Sequence, residues 1–116
     1  MDEIVKMTED EEKVWQVLAT CRGRGMAILG PEIEQLTGIS YKHVQRIISG
    51  LVCHHGKLIG SGTFGYFIPV TVKESEDAAY YLRHRAIVAL DRASKYQRTS
   101  IEVVFGQARM EFEEAS

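Results

Sequence analysis

Between Tyr41 and Ser49 the chain reads Tyr-Lys-His-Val-Gln-Arg-Ile-Ile-Ser. If this run is helical, Lys42, Gln45, Arg46 and Ser49 fall on one face, because residues three and four apart are neighbours on a helix surface. Tyr41 is read onto the same face, and no acid interrupts it. Lysine and arginine pair with phosphate oxygens. Glutamine can make two parallel bonds to adenine and arginine two to guanine at base edges in the major groove, although either can also hold a phosphate. A merely solvated face would usually mix signs, and acids here would repel phosphate.

Positioning such a face requires a helix with a buried opposite side. Val44, Ile47, Ile48 and Leu51 supply it, and Ser40 suits the N-cap of a helix running from about Tyr41 to His54. Upstream, Ile33 and Leu36 mark a shorter helix, with Pro31 in its first turn, where the missing N–H has no intrahelical partner. Only Thr37-Gly38-Ile39-Ser40 separates the two, and Gly38 can take the positive φ that a tight helix-to-helix turn demands. This spacing predicts a helix-turn-helix, whose second helix is the reading element for DNA.

The other elements follow in order. Thr8 and Glu11 form a capping box for a first helix carrying Val14, Val17, Leu18 and Cys21 at helical spacing, with Trp15 beside them and Gly23 and Gly25 ending it. Met26-Ala27-Ile28-Leu29 is too short for a helix and suits a short strand. Lys57 to Gly60 and Tyr66 to Ile68 are β-prone runs flanking Ser61-Gly62-Thr63-Phe64-Gly65, so a hairpin is expected, packed on the helices for support. Thr71 and Glu74 make a second capping box, opening a helix that reaches at least Tyr96. Ala79, Leu82, Ala86, Ala89, Ala93 and Tyr96 form a stripe of mostly small residues along it, and Ile87, Val88 and Leu90 widen the apolar surface. Thr99 and Glu102 repeat the capping spacing ahead of Ile101, Val104, Phe105, Ala108 and Phe112, so either a separate helix starts near Ser100 or the long one continues past it.

Read together, Gly30 to Ser40 followed by Val44, Ile47 and Leu51, with Gly62-Thr63-Phe64-Gly65-Tyr66-Phe67-Ile68 as a wing, resemble the winged helix-turn-helix DNA-binding domain of biotin-repressor-type proteins. The chain is also similar to small helix-turn-helix proteins of bacterial phages and prophages, which share the Gly-Tyr-Phe-Ile wing ending and an alanine-rich, arginine-bearing helix after it. The resemblance covers roughly residues 8–69. It implies sequence-specific binding of double-stranded DNA and transcriptional control. It places Tyr41, Lys42, His43, Gln45 and Arg46 at base- or phosphate-facing positions and Ser61 to Phe64, with Ser61 and Thr63 as polar contacts, at the wing tip. The tip departs from the usual pattern in having no Lys or Arg, so its electrostatic contribution must be small.

The expected fold class is therefore mainly α with a small β-hairpin: a flexible acidic N-terminus over residues 1–7, a winged helix-turn-helix over 8–70, and a C-terminal helical extension over 71–116. The surplus apolar surface of that extension implies a homodimer through the C-terminal helices. The alternative function is a winged helix used for protein contact, as an adaptor in a phage or replication assembly.

Composition bounds these readings. A chain of 116 residues, 45% hydrophobic and 26% charged, suits one ordinary globular domain. Its net charge of −2 conceals an uneven layout. Six acids face one lysine in residues 1–12, whereas residues 13–57 hold six basic residues against Glu32 and Glu34. No apolar run approaches the ~18 residues of a membrane span, and no leader opens the chain, so a cytoplasmic protein without membrane contact is expected. Cys21 and Cys53 are expected as small buried residues in a reducing compartment. Cys53-His54-His55 cannot converge on one ion, since adjacent helical residues diverge by about 100°, and no second ligand pair has metal-site spacing. No phosphate loop, nucleophile elbow or paired acidic motif is present, so neither catalysis, a cofactor nor a small-molecule ligand is expected. Arg83, His84 and Arg85 are read as ordinary salt-pairing residues near Glu76, Asp77 and Asp91.

Overall fold

The computed structural model describes residues 6–115. The protein is mainly α-helical with one two-stranded antiparallel sheet. In chain order these are α1 (Glu9–Leu18), a single 3-10 turn (Arg24–Met26), α2 (Gly30–Thr37), α3 (Tyr41–His55), β1 (Gly60–Gly62), β2 (Gly65–Phe67), α4 (Val72–Gln97) and α5 (Ile101–Ala115). Two compact units divide the chain within α4, one ending at Ala79 and the other beginning at Tyr80. Among the described residues, no helix is long and apolar enough to cross a membrane.

In the first unit, α1, α2 and α3 enclose a core of Val14, Leu18, Cys21, Ile28, Ile33, Val44, Ile47, Ile48 and Leu51. Thr8 and Glu11 form the full capping box at the start of α1. The helix is shorter than its apolar spacing predicts. It ends at Leu18, where the chain turns, and Cys21 reaches the core from the following loop. Of the expected flexible N-terminus, residues 1–5 lie outside the described residues, while Met7 packs against the core.

The expected strand at Met26 to Leu29 is reduced to one pairing. Ile28 exchanges both backbone hydrogen bonds with Tyr66, at 2.9 and 2.7 Å, while Arg24 to Met26 curl into the 3-10 turn. A second bridge joins the end of the hairpin to the loop after α1, with Ile68 N–H donating to the Cys21 carbonyl at 2.7 Å and Gly23 N–H to the Ile68 carbonyl at 2.8 Å. These bonds fix the hairpin to the helices, and Phe67 is buried with its ring covering Gly60.

The hairpin itself is tighter than predicted. Pairing runs Gly60 to Phe67, Ser61 to Tyr66 and Gly62 to Gly65, so only Thr63 and Phe64 form the turn. Ser61 therefore lies within β1 and not at the tip. Gly65 makes this register possible: its φ is +110°, and a Cβ there would run into the Ile28 carbonyl.

Thr71 caps α4 by accepting from Glu74 N–H at 3.1 Å, but the Glu74 carboxylate reaches elsewhere, accepting from Val70 N–H and Arg24 N–H, each at 2.9 Å. This is why the first turns of α4 belong to the first unit.

In the second unit, α5 is a separate helix. Arg98 breaks the run in a left-handed conformation, φ +53°, and Thr99 N–H returns to the Ser94 carbonyl at 3.1 Å. Ser100, and not Thr99, caps α5, accepting from Val103 N–H at 3.3 Å. Val104 and Ser94 are buried, and Gln97 bonds Gln107 at 3.1 Å. α5 covers the small-residue stripe only near its end, at Ala93. With a connection of only three residues and a helix about 22 Å long, α5 meets the last turns of α4 around Leu90, Ala93 and Gln97. Leu82, Ala86, Ala89 and Tyr96 stay exposed.

Candidate functional site

The α2–turn–α3 unit is built from short-range bonds. Gly38, φ +75°, closes α2 with its N–H on the Glu34 carbonyl at 2.8 Å. Thr37 Oγ1 donates to the Ile33 carbonyl at 2.7 Å and accepts from Ile39 N–H at 3.2 Å, which holds the turn. Ser40 caps α3, accepting from His43 N–H at 3.4 Å. A second cap was not evident from the sequence: the Glu34 carboxylate spans the turn and accepts from Tyr41 N–H at 2.6 Å. An anion at a helix N-terminus is stabilised by the free N–H groups and the helix dipole there.

Val44 and Leu51 are fully buried, and Ile47 and Ile48 nearly so. Lys42, Gln45, Arg46 and Ser49 are all exposed on the opposite face. Among the described residues, the side chains of Lys42, Gln45 and Arg46 make no hydrogen bond or ion pair, and none of them faces an acid on α3 itself. Their free ends are thus available to a ligand without breaking anything.

Two residues of the expected set stand apart from this face. His43 lies on the other shoulder of α3, with Nε2 3.8 Å from Asp10 of α1. Tyr41 is committed to packing, because its ring lies against Gly30, where any Cβ would overlap it. The structure therefore separates the set into four outward polar residues, a histidine directed to α1 and a tyrosine that ties α3 to the start of α2.

At the C-terminal end of α3, His55 is almost buried and sits 3.2 Å from Glu11. The Thr8 N–H and, after it, His55 hold the Glu11 carboxyl below its ordinary range. Cys53 is exposed, not buried, two residues beyond Leu51 and off the apolar stripe. Cys53, His54 and His55 do not converge, and no metal-binding cluster exists among the described residues.

The hairpin turn places Thr63 and Phe64 outward. Ser61 is half-buried in β1, so of the two expected polar contacts only Thr63 is at the tip. Beside the turn stands Arg24, whose guanidinium lies 5.3 Å from the Phe64 ring centroid and 2.8 Å from Asp77. Sequence spacing gave no signal for this, because Arg24 and Asp77 are joined only by the folded chain. The Arg24 bond, helped by Lys73, holds the Asp77 carboxyl low, and the Val70 and Arg24 N–H groups do the same for Glu74.

In the second unit, Ile87, Leu90, Ile101 and Phe105 line an open apolar crevice between α4 and α5. Compared with family models, with curated proteins and with solved structures, the chain matches none of them.

Proposed function

We propose that the protein binds double-stranded DNA, with α3 in the major groove, and acts as a small transcriptional regulator of the bacterial or phage type. The supporting observation is the outward face of α3: Lys42, Gln45, Arg46 and Ser49 are exposed, with no acid among them and, among the described residues, no side-chain hydrogen bond or ion pair. Lys42 and Arg46 supply phosphate attraction, and Gln45 and Arg46 have the side-chain geometry to read base edges. The order of helix, bridge, helix-turn-helix and hairpin resembles a winged helix, which makes α3 the recognition helix and 63–64 the wing tip.

The same reading includes a homodimer formed through residues 80–115. Ile87, Val88, Phe105, Met110 and Phe112 are exposed there, more apolar surface than one helix pair uses. A two-fold pair would set two recognition helices about one DNA turn apart or a multiple of it.

Titration of a labelled duplex at two salt concentrations tests the proposal. Affinity falls as salt rises, and Arg46→Ala weakens it with a shallower salt slope. Salt-independent binding, no binding, or an unaltered Arg46→Ala protein overturns it. A co-purified protein that shields α3 replaces it with the adaptor reading.

A further inference from the structure

The hairpin turn has no cation in its own sequence, yet one is held against it. The Arg24 guanidinium is contacted from two sides. Phe64 offers its ring face at 5.3 Å, a cation–π arrangement, and Asp77 Oδ2 accepts from its Nη2 at 2.8 Å. The Arg24 backbone is pinned independently, its N–H donating to Glu74 at 2.9 Å. The backbone at Arg24 therefore has an anchor of its own, separate from whatever the side-chain tip is bonded to.

That tip is at the surface. The Arg24 and Asp77 side chains are 42% and 41% exposed, and exposed ion pairs contribute only about 0–1 kcal/mol, so they exchange partners readily. Lys73 also approaches Asp77, at 3.4 Å, so the carboxylate keeps a partner when Arg24 leaves. A carboxylate and a phosphodiester present similar pairs of oxygens to the planar guanidinium fork. The position also suits a ligand bound by α3. Gly65, next to Phe64, abuts the Ile28 carbonyl, and Gly30, two residues on, lies under Tyr41 at the start of α3. The turn is thereby linked to the start of α3 through residues 28–30, within the same unit.

We infer that Arg24 is the wing's phosphate ligand and that Asp77 occupies it until DNA binds. The carboxylate stands where a backbone phosphate of the duplex arrives, and Arg24 passes from one to the other while Phe64 keeps it at the turn. The uncharged wing tip thus borrows its cation from the loop before α2. This rests on the reading of α3 as a DNA-binding helix.

The experiment uses the full chain and a labelled duplex of mixed sequence, with Arg24→Gln, Asp77→Asn, the double variant and Arg46→Ala. Both single changes leave the Arg24 N–H bond to Glu74 intact, and thermal melts check that each variant is folded. Asp77→Asn tightens binding about 2- to 5-fold, the release of one exposed ion pair. Arg24→Gln weakens it and lowers the salt slope by about 0.9, one phosphate contact. The double variant binds as Arg24→Gln does, because Asp77 acts only through Arg24. Equal tightening by Asp77→Asn in both backgrounds would show a general charge effect and overturn the inference. Wild-type binding that depends on Arg46 but is unchanged by Arg24→Gln overturns it while leaving the reading of α3 standing. A wild-type chain that does not bind the duplex overturns both.

Discussion

The ring of Tyr41 rests on the backbone of Gly30, so the first residue of α3 and the first of α2 are in direct contact, and a side chain at position 30 would have to displace the ring. Gly30→Ala should destabilise the first unit by about 1–3 kcal/mol, the range for forcing an extra carbon into a packed site. Adding Tyr41→Ala should recover part of that loss, giving a coupling energy in a double-mutant cycle followed by urea unfolding. Independent, additive effects would mean that the two residues do not share the space.

Two glycines at turns should respond differently to alanine. Gly38 has φ +75° with open space around it, so Gly38→Ala should cost only the conformational term of about 1–2 kcal/mol. At Gly65, φ +110° is combined with the Ile28 carbonyl in the way, so Gly65→Ala should cost more and loosen the hairpin. Urea midpoints and amide exchange of Tyr66 compare the two. A smaller loss at Gly65 than at Gly38 would contradict the hairpin register.

Stability should decline in acid for identifiable reasons. Glu11 and Glu74 accept backbone N–H bonds that lower their folded pKa below the ordinary value of 4.5. A depressed carboxyl pKa contributes stability that is complete above the unfolded value and is lost as pH falls through the folded one. Melting temperature should therefore be flat through neutrality and fall below about pH 4.5. The Glu11→Gln and Glu74→Gln chains should be less stable at neutral pH and show a shallower acid decline. Parallel curves for wild type and variants would remove these carboxylates as the cause.

Self-association of residues 80–115 is measurable by light scattering. Ile87 and Phe105 are exposed and face the open crevice, so aspartate at both should leave helix content unchanged. The wild type should show the dimer mass at micromolar concentration and the Ile87→Asp, Phe105→Asp chain half of it. A monomeric wild type would contradict the homodimer.

What was legible in the sequence was what neighbours along the chain determine. The Thr8 and Glu11 box, the Gly38 turn and the buried Val44 to Leu51 stripe are local patterns, and the fold carries each of them. Misplaced features depend on distant contacts. Glu74 has the spacing of a capping box, but its oxygens are drawn to Val70 and Arg24, fifty positions away in the latter case. Cys21 keeps helical spacing yet reaches the core from a loop, because α1 stops where the chain must turn to meet Ile68. In the candidate site, helical periodicity located Lys42, Gln45, Arg46 and Ser49, whereas the packing of Tyr41 and the pairing of His43 required the positions of α2 and α1.

The two sides of the hairpin are unequal. β2 has β1 along one side and the Ile28 bridge along the other, while β1 has no second neighbour among the described residues. That open edge offers Gly60, Ser61 and Gly62 only, two of them without a side chain to pack. An edge so short is a poor template for a strand from another molecule. A strand from another copy would therefore find few backbone groups to pair with along β1.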